Sequence, residues 1–113
     1  MIPDDARYFA GILDGEGWVE CTKRIKKCSN NKSYKCSSIH IEIQMTHKGV
    51  MEWLMEKAGF GTLRMRKAAP HQNLDHWRWR CCYRDAYKLA KDVVPYSIVK
   101  RETLQRIVDH YDN

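Results

Sequence analysis

Residues 37–46, SSIHIEIQMT, alternate between apolar and polar side chains over most of their length. Ile39, Ile41, Ile43 and Met45 fall on one side, and polar residues separate them. A period of two residues is that of a β-strand with one buried face and one exposed face. Any fold of this chain must therefore contain a sheet that is covered by a core on one side.

Three further segments, at about 18–28, 61–67 and 76–81, show the same alternation. Their apolar positions are expected to face the core: Val19, Cys21, Ile25, Leu63, Met65, Trp77, Trp79 and Cys81. Residues 29–35 and 69–75 are rich in Asn, Ser, Lys and other polar residues, and the second stretch contains Pro70, so both are predicted to be turns or loops. The four strands thus form two hairpins.

Helical spacing appears between and around these hairpins. Asp4 and Asp5 mark a helix start, and apolar residues then follow at intervals of three and four. Thr46 is the expected cap of a second helix, a third begins near Arg84, and a last one runs to the end of the chain. The predicted order is α-ββα-ββα-α, an α+β fold in a single domain spanning residues 1–113, with an antiparallel four-stranded sheet and helices on one face.

The composition limits the binding partners and the cellular compartment that this protein is expected to have. With 113 residues and a net charge of +6, the chain suits one modest core and a polyanionic partner, although such a charge can also serve solubility alone. Five cysteines and an N-terminus without a basic leader favour free thiols in the cytoplasm or an organelle interior, and not secretion. Cys36 and His40 lack a second ligand pair, which argues against structural zinc. A membrane role is not expected, since no long apolar run or basic amphipathic helix with aromatic anchors is present.

The polar sides of the four strands form a predicted nucleic-acid-binding face. Arg and Lys neutralise phosphates, Arg and Gln also pair with base edges, and a two-stranded ribbon fits the major groove. The candidates are Thr22, Arg24, Lys26, Ser38, His40, Glu42, Gln44, Arg64, Arg66, Arg78 and Arg80. A solvated sheet face remains an alternative, and so does a stacking platform for single-stranded bases made by His76, Trp77 and Trp79.

The first helix has a second face, formed by Tyr8, Gly11, Ile12 and Gly15. Two glycines four residues apart form a groove that lets another helix backbone approach closely. This face is the predicted site of self-association.

The end of that helix reads FAGILDGEG, residues 9–17, and resembles the nine-residue motif of the LAGLIDADG homing endonucleases. Ala10, Gly11, Asp14 and Gly17 match that motif, and Glu16 stands where the family has its acid, more often Asp. The element order agrees with one family domain. The segments IQMTHK (43–48) and PYSIVKRE (95–102) resemble the end of the family's second strand and a lysine-bearing segment before its last helix.

The resemblance implies a site-specific, intron-encoded type of endonuclease that cuts both strands of DNA. Single-motif members pair as homodimers along the motif helices, on a saddle-shaped sheet, and read a pseudo-palindromic duplex site. Glu16 from each copy would then hold Mg²⁺, and Mn²⁺ or Ca²⁺ can occupy such a site. Metal-activated water would hydrolyse the phosphodiester.

The resemblance also assigns roles to other residues. His47, where family members often have Gln, would organise water near the scissile phosphate and could accept a proton, and Lys100 would stabilise charge on the phosphate. Both also suit ordinary polar positions of helices. Asp14 is expected to help close the motif helix, and Glu20 is a weaker candidate for a second metal ligand than for a base contact. The alternative function is a maturase-like RNA partner or a DNA-binding protein on the same fold without cleavage.

Overall fold

The computed structural model describes residues 1–27, 33–71 and 74–112, with side chains for all of these except 24–27 and 33–36. Within these ranges the elements are α1 (Pro3–Glu16), β1 (Gly17–Lys27), β2 (Ser33–Met45), α2 (Lys48–Ala58), β3 (Thr62–Arg66), β4 (His76–Cys82), α3 (Tyr83–Val93) and α4 (Arg101–Asp112). This is the predicted α-ββα-ββα-α order. The α+β fold class is confirmed.

The four strands form one antiparallel sheet in the order β1-β2-β4-β3. β1 pairs with β2 along its whole length, from Gly17 opposite Ile43 to Lys27 opposite Ser33. Residues 33–35 therefore belong to β2, and the prediction that they lie in a loop was wrong. The pairing with β1 satisfies their backbone groups, which outweighs the polar composition that indicated a turn.

The core lies between the inner face of the sheet and the four helices. Ile39, Ile41 and Ile43 are almost completely buried there against apolar residues from every helix. Trp79 is completely buried, and its indole nitrogen donates a hydrogen bond to the Phe60 carbonyl oxygen at 3.2 Å. A side chain in that position cannot stack on a nucleic-acid base, so the stacking-platform alternative is wrong for Trp79.

Met65 lies on the predicted inner side of the sheet, opposite Trp77, but it is 43% exposed and is not buried in the core. β3 is a five-residue strand at the edge of the sheet, and the helices leave its far end uncovered. The alternation correctly places Leu63 against the core. Periodicity alone cannot show where the covering helices end.

α1 runs across the inner layer with Ala6, Phe9, Ala10 and Leu13 buried. The helix continues through Glu16, and the backbone N–H of Gly17 donates to the Leu13 carbonyl oxygen as the last turn closes. The chain then enters β1 directly. Among the described residues, no helix has both the length and the apolar character needed to cross a membrane.

Candidate functional site

The strand register places the polar side chains of all four strands on one outer surface. Residues directly opposite each other share a face of the sheet. Thr62, Arg80, Glu42 and Trp18 form one row across the sheet; Arg64, Arg78 and Gln44 form the next. Cys82, His40 and Glu20 form a third row, followed by the pair of Ser38 and Thr22. The register thus brings the candidate residues whose side chains are described into one continuous surface, here called the outer face.

These residues differ in exposure. Thr22, Arg64 and Arg66 are exposed, whereas the other described candidates, on β2 and β4, are partly buried among their neighbours. Among the described side chains of the outer face, the positive charges lie on β3 and β4, which carry Arg64, Arg66, Arg78 and Arg80. The side chains of Arg24 and Lys26, also predicted to bind nucleic acid, lie outside the described residues.

Glu20 occupies the β1 side of the outer face. The Ser38 hydroxyl donates a hydrogen bond to Glu20 Oε2 at 2.7 Å, and His40 Nδ1 lies 3.3 Å from the same oxygen. Burial, together with the positive charge of Arg80, lowers the pKa of His40, although Glu20 and Glu42 act in the opposite direction. A neutral imidazole is therefore expected beside Glu20 at neutral pH. These contacts engage Glu20 within the sheet, so they favour a role in the recognition surface over a role as metal ligand.

Glu42 occupies the centre of the outer face. Gln44 Nε2 donates to Glu42 Oε2 at 3.2 Å, and Arg78 Nη1 lies 3.7 Å from Glu42 Oε1. Both carboxylate oxygens thus have a partner from the outer face. The alternation predicts the surface, but only the three-dimensional contacts show that this acid binds two of its neighbours.

Glu16 is exposed at the last position of α1. The residue after it must be glycine: a Cβ on Gly17 would lie 2.3 Å from Leu13 Cδ1 and 2.7 Å from the Leu13 carbonyl oxygen. The absent side chain lets the helix close tightly and pass directly into β1. The carboxylate of Glu16 is thereby held at the junction between α1 and β1.

Asp14 links this junction to the segment before α4. Its carboxylate accepts hydrogen bonds from the Ser97 hydroxyl, from Ile98 N at 2.8 Å and from Lys100 N at 3.2 Å. Partial burial raises the pKa of Asp14, but the bonds from Ser97 and from the backbone of residues 98–100 outweigh burial and hold it below its ordinary value. The carboxylate is ionised at neutral pH.

Asp14 makes structural contacts, but they are not the predicted ones that would close the motif helix. The last turn of α1 is closed by the Gly17 backbone, and Asp14 instead binds residues 97–100. Ser97, completely buried, is a partner that the sequence reasoning missed. No local pattern marks it, because it lies 83 residues from the carboxylate that it binds.

Lys100 is placed by this contact immediately before α4. Its backbone N–H also bonds Ser97 Oγ at 3.2 Å, and its carbonyl oxygen accepts from Leu104 N at 3.0 Å as the helix begins. The structure therefore holds the backbone of Lys100 against Asp14, in the last turn of the motif helix.

His47, and not Thr46, caps α2, so the predicted cap is wrong. His47 Nδ1 accepts a hydrogen bond from Val50 N at 3.1 Å, which satisfies a free N–H of the first turn. With Nδ1 occupied as an acceptor, the neutral ring carries its proton on Nε2 and offers a donor there. This geometry disfavours the suggested proton acceptance and favours donation to water or phosphate.

The predicted self-association face of α1 is largely open. A Cβ at Gly11 or Gly15 would meet nothing within 4 Å. Tyr8 is 55% exposed and contacts Trp53 edge to face, whereas Ile12 is partly buried against the core. Tyr8 and the two glycines form the accessible part of this face.

A divalent cation would find an incomplete donor set on one copy. The described residues contain no group of three or more His, Cys, Asp or Glu side chains arranged to hold a metal. Glu16 supplies one exposed carboxylate, a hard oxygen donor of the kind that Mg²⁺ prefers. Glu16 fits one ligand position of such an ion, whose remaining oxygen ligands would have to come from outside the described residues of this chain.

Comparisons with known proteins identify the fold. No family model matches the chain, and no curated protein matches it in sequence. The structure resembles the archaeal intron-encoded homing endonuclease I-Vdi141I complexed with DNA, with a TM-score of 0.70 and 14% identity over 96% of this chain and 67% of that chain.

Two further solved structures are similar. For the homing endonuclease I-CvuI, in complex with its target in the presence of calcium, the TM-score is 0.68 at 12% identity, over 91% of this chain and 62% of that one. For the LAGLIDADG homing endonuclease I-GzeII with its DNA target, the TM-score is 0.64 at 12% identity, over 95% of this chain and 36% of that one. The chain therefore has the fold of the LAGLIDADG homing endonucleases and spans about three fifths of the length of I-CvuI.

Proposed function

We propose that this chain is a homodimeric, site-specific DNA endonuclease that hydrolyses phosphodiester bonds with water. The position of Glu16 is the main observation that supports this proposal. Its exposed carboxylate ends a helix whose open face is formed by glycines, and it directly precedes β1, an edge strand of the sheet whose outer face carries the arginines. The similar structures I-Vdi141I, I-CvuI and I-GzeII are homing endonucleases with DNA bound, which supports this assignment.

The dimer follows from the needs of the chemistry. One copy supplies one Glu16, and two carboxylates are required to hold cations between two scissile phosphates. Because Gly11 and Gly15 present no side chains, the α1 helices of two copies can pack closely and bring their ends together. Closed two-fold pairing is also the commonest form of association, and it makes the DNA site pseudo-palindromic.

The outer face supplies recognition. Exposed Arg64 and Arg66 suit phosphates, and the partly buried Gln44, Arg78 and Arg80 suit base edges in the major groove. A mixed surface of this kind is suited to a defined duplex sequence, since positive charge alone would bind any sequence.

Glu16 would hold the divalent cation, with Mg²⁺ as the expected ion and Mn²⁺ or Ca²⁺ as substitutes. Such an ion supplies an acidified water molecule and offsets negative charge on the phosphate. Lys100, held by Asp14 beside the end of α1, would stabilise charge on the same phosphate. His47 would donate from Nε2 to water or to a phosphate oxygen.

The test separates cleavage from binding. The wild-type protein would select its duplex from a random-sequence pool in Ca²⁺, and cleavage of that duplex would then be followed in Mg²⁺. Loss of a group that merely supports a metal ligand costs about 10–100-fold. Glu16→Gln should therefore slow cleavage by at least about a hundredfold without losing the duplex.

Glu56→Gln is the matched control, because it removes the same charge from an exposed position of α2, on the opposite side of the sheet. The control should cut at the wild-type rate. Equal cleavage by wild type and Glu16→Gln would contradict the proposed role of Glu16. A protein that binds the duplex but never cuts it would instead be the non-cleaving binding module.

A further inference from the structure

We infer that Glu42 is a positioning residue for sequence recognition, which orients Gln44 and Arg78 so that they contact an adenine and a guanine at the same or neighbouring base pairs. The inference rests on the proposed function, because it assumes that the outer face meets a DNA major groove. It concerns which bases one part of that face selects.

The two oxygens of Glu42 are both engaged by the side chains that it would orient. Gln44 Nε2 donates to Oε2 at 3.2 Å, and Arg78 Nη1 lies 3.7 Å from Oε1. The Glu42 side chain is 18% exposed and that of Arg78 is 27% exposed. The carboxylate is therefore the more covered member of the pair, and the guanidinium is the more accessible one.

Gln44 and Arg78 are direct neighbours on the outer face. They stand opposite each other in the β2–β4 pairing, and Glu42 is diagonal to Arg78. Side chains opposite each other on adjacent strands start about 5 Å apart, which lies between one and two times the rise of about 3.4 Å per base pair. The two side chains can therefore reach the same or neighbouring pairs.

The hydrogen-bonding groups of Gln44 and Arg78 that Glu42 does not engage determine which bases these side chains can contact. Gln44 donates one amide hydrogen to Glu42, which leaves Oε1 and the other hydrogen, the two groups that pair with adenine N6 and N7. Arg78 directs Nη1 toward Glu42 and retains donors on Nε and Nη2, which can bond guanine O6 and N7. Arg78 thus keeps a bidentate edge, and Gln44 keeps one acceptor and one donor.

The charges around Arg78 explain why a carboxylate is needed. Arg64 stands directly opposite Arg78 on β3, and Arg80 lies two residues further along β4. Like charges opposite each other repel, so without Glu42 the guanidinium would turn away from its neighbours toward solvent or a phosphate. Glu42 draws it toward β2 and Gln44.

The experiment compares base preferences. The wild-type protein first selects a duplex from a random-sequence pool, and its affinity is then measured for every single base-pair substitution of that site. Glu42→Gln should lower discrimination about tenfold at one or two adjacent base pairs, which the wild type prefers as adenine and guanine. Discrimination elsewhere should be unchanged, and affinity for non-specific DNA at the same salt concentration should not fall, because the change removes a negative charge from the DNA-facing surface. Glu56→Gln, which removes the same charge on α2, should keep the complete wild-type profile.

A second variant separates positioning from a general effect on stability. Gln44→Ala removes a contacting side chain directly and should affect the same base pairs. The double change Glu42→Gln/Gln44→Ala should add little to Gln44→Ala at those positions, because residues that act as a unit are not additive. A uniform loss at all base pairs, or a loss at positions other than those that depend on Gln44, would overturn the inference.

The same experiment distinguishes failure of the proposed function from failure of the inference about Glu42. If the wild-type protein selects no duplex, the proposed function fails and the inference fails with it. If it selects and cuts a site that Glu42→Gln still reads with full discrimination, only the positioning role of Glu42 is overturned.

Discussion

Asp14 is the residue that most directly connects distant parts of the chain. Its carboxylate is bound by Ser97 and by the backbone N–H groups of Ile98 and Lys100, all more than eighty residues away in sequence. The consequence is local as well as global, since the same bonds hold the backbone of Lys100 against the last turn of α1.

Asp14→Asn is predicted to lower the free energy of unfolding by about 2 kcal/mol at neutral pH, since hydrogen bonds to a charged group are worth about 1.5–3 kcal/mol. The pKa of Asp14 is lowered in the folded state. Its contribution is therefore present above the unfolded pKa and is lost as pH falls through the folded pKa. The difference between wild type and variant should shrink below about pH 4, as measured by urea unfolding at several pH values.

Asp109→Asn is the control for this prediction. Asp109 accepts a hydrogen bond from Gln105 on the exposed side of α4, and its removal should change stability little. A constant difference between wild type and Asp14→Asn across the whole acid range would contradict the role of the ionised carboxylate.

At the level of elements, the junction between α1 and β1 controls where the candidate active centre lies. The helix closes on Gly17 and the strand begins at the same residue, so Glu16 has no linker that could let it move independently. The geometry depends on the missing Cβ, not on a special backbone angle, because the φ of Gly17 is −102°.

Gly17→Ala is predicted to destabilise the fold by about 1–3 kcal/mol, the usual cost of forcing extra atoms into a packed region. The added Cβ would press on the Leu13 carbonyl oxygen, so the end of the helix must shift and Glu16 must move with it. Thermal unfolding measures the first effect, and cleavage of the selected duplex measures the second. Wild-type stability and cleavage in this variant would show that the junction tolerates a side chain.

At the level of the whole molecule, α1 has two faces that differ in burial. One face is buried in the core, and the other presents Gly11 and Gly15 to open space. In a single chain these glycines cost helix stability, because glycine is about 1 kcal/mol less favourable than alanine in a helix interior. Close pairing with a second copy would offset that cost.

The double change Gly11→Ala/Gly15→Ala is therefore predicted to act in opposite directions on folding and on association. The folded chain should gain up to about 1 kcal/mol for each alanine, measured by denaturation at low protein concentration. Self-association should weaken, measured by sedimentation, because the new methyl groups separate the two helices. Lys88→Ala, on the exposed side of α3, should leave association unchanged, and association unaffected by the double change would place the dimer interface elsewhere.

The sequence alone determined the order of elements and the outer face. Strict alternation, as at Ile39, Ile41 and Ile43, buries one side of a segment only if that segment is a strand of a sheet. Helical spacing in α1 likewise requires a core against which its apolar face can pack. The FAGILDGEG motif likewise identified the helix whose end carries Glu16. These features are local, since each depends on residues a few positions apart.

Only the tertiary structure decided which side chains meet. Asp14 finds Ser97 across the fold, Glu42 engages Gln44 and Arg78, and His47 replaces Thr46 as the cap of α2. Met65 is exposed because no helix covers the end of its strand. The physical reason is the same in each case: periodicity specifies the face on which a side chain lies, whereas its partner depends on strand order, register and packing between segments far apart in sequence.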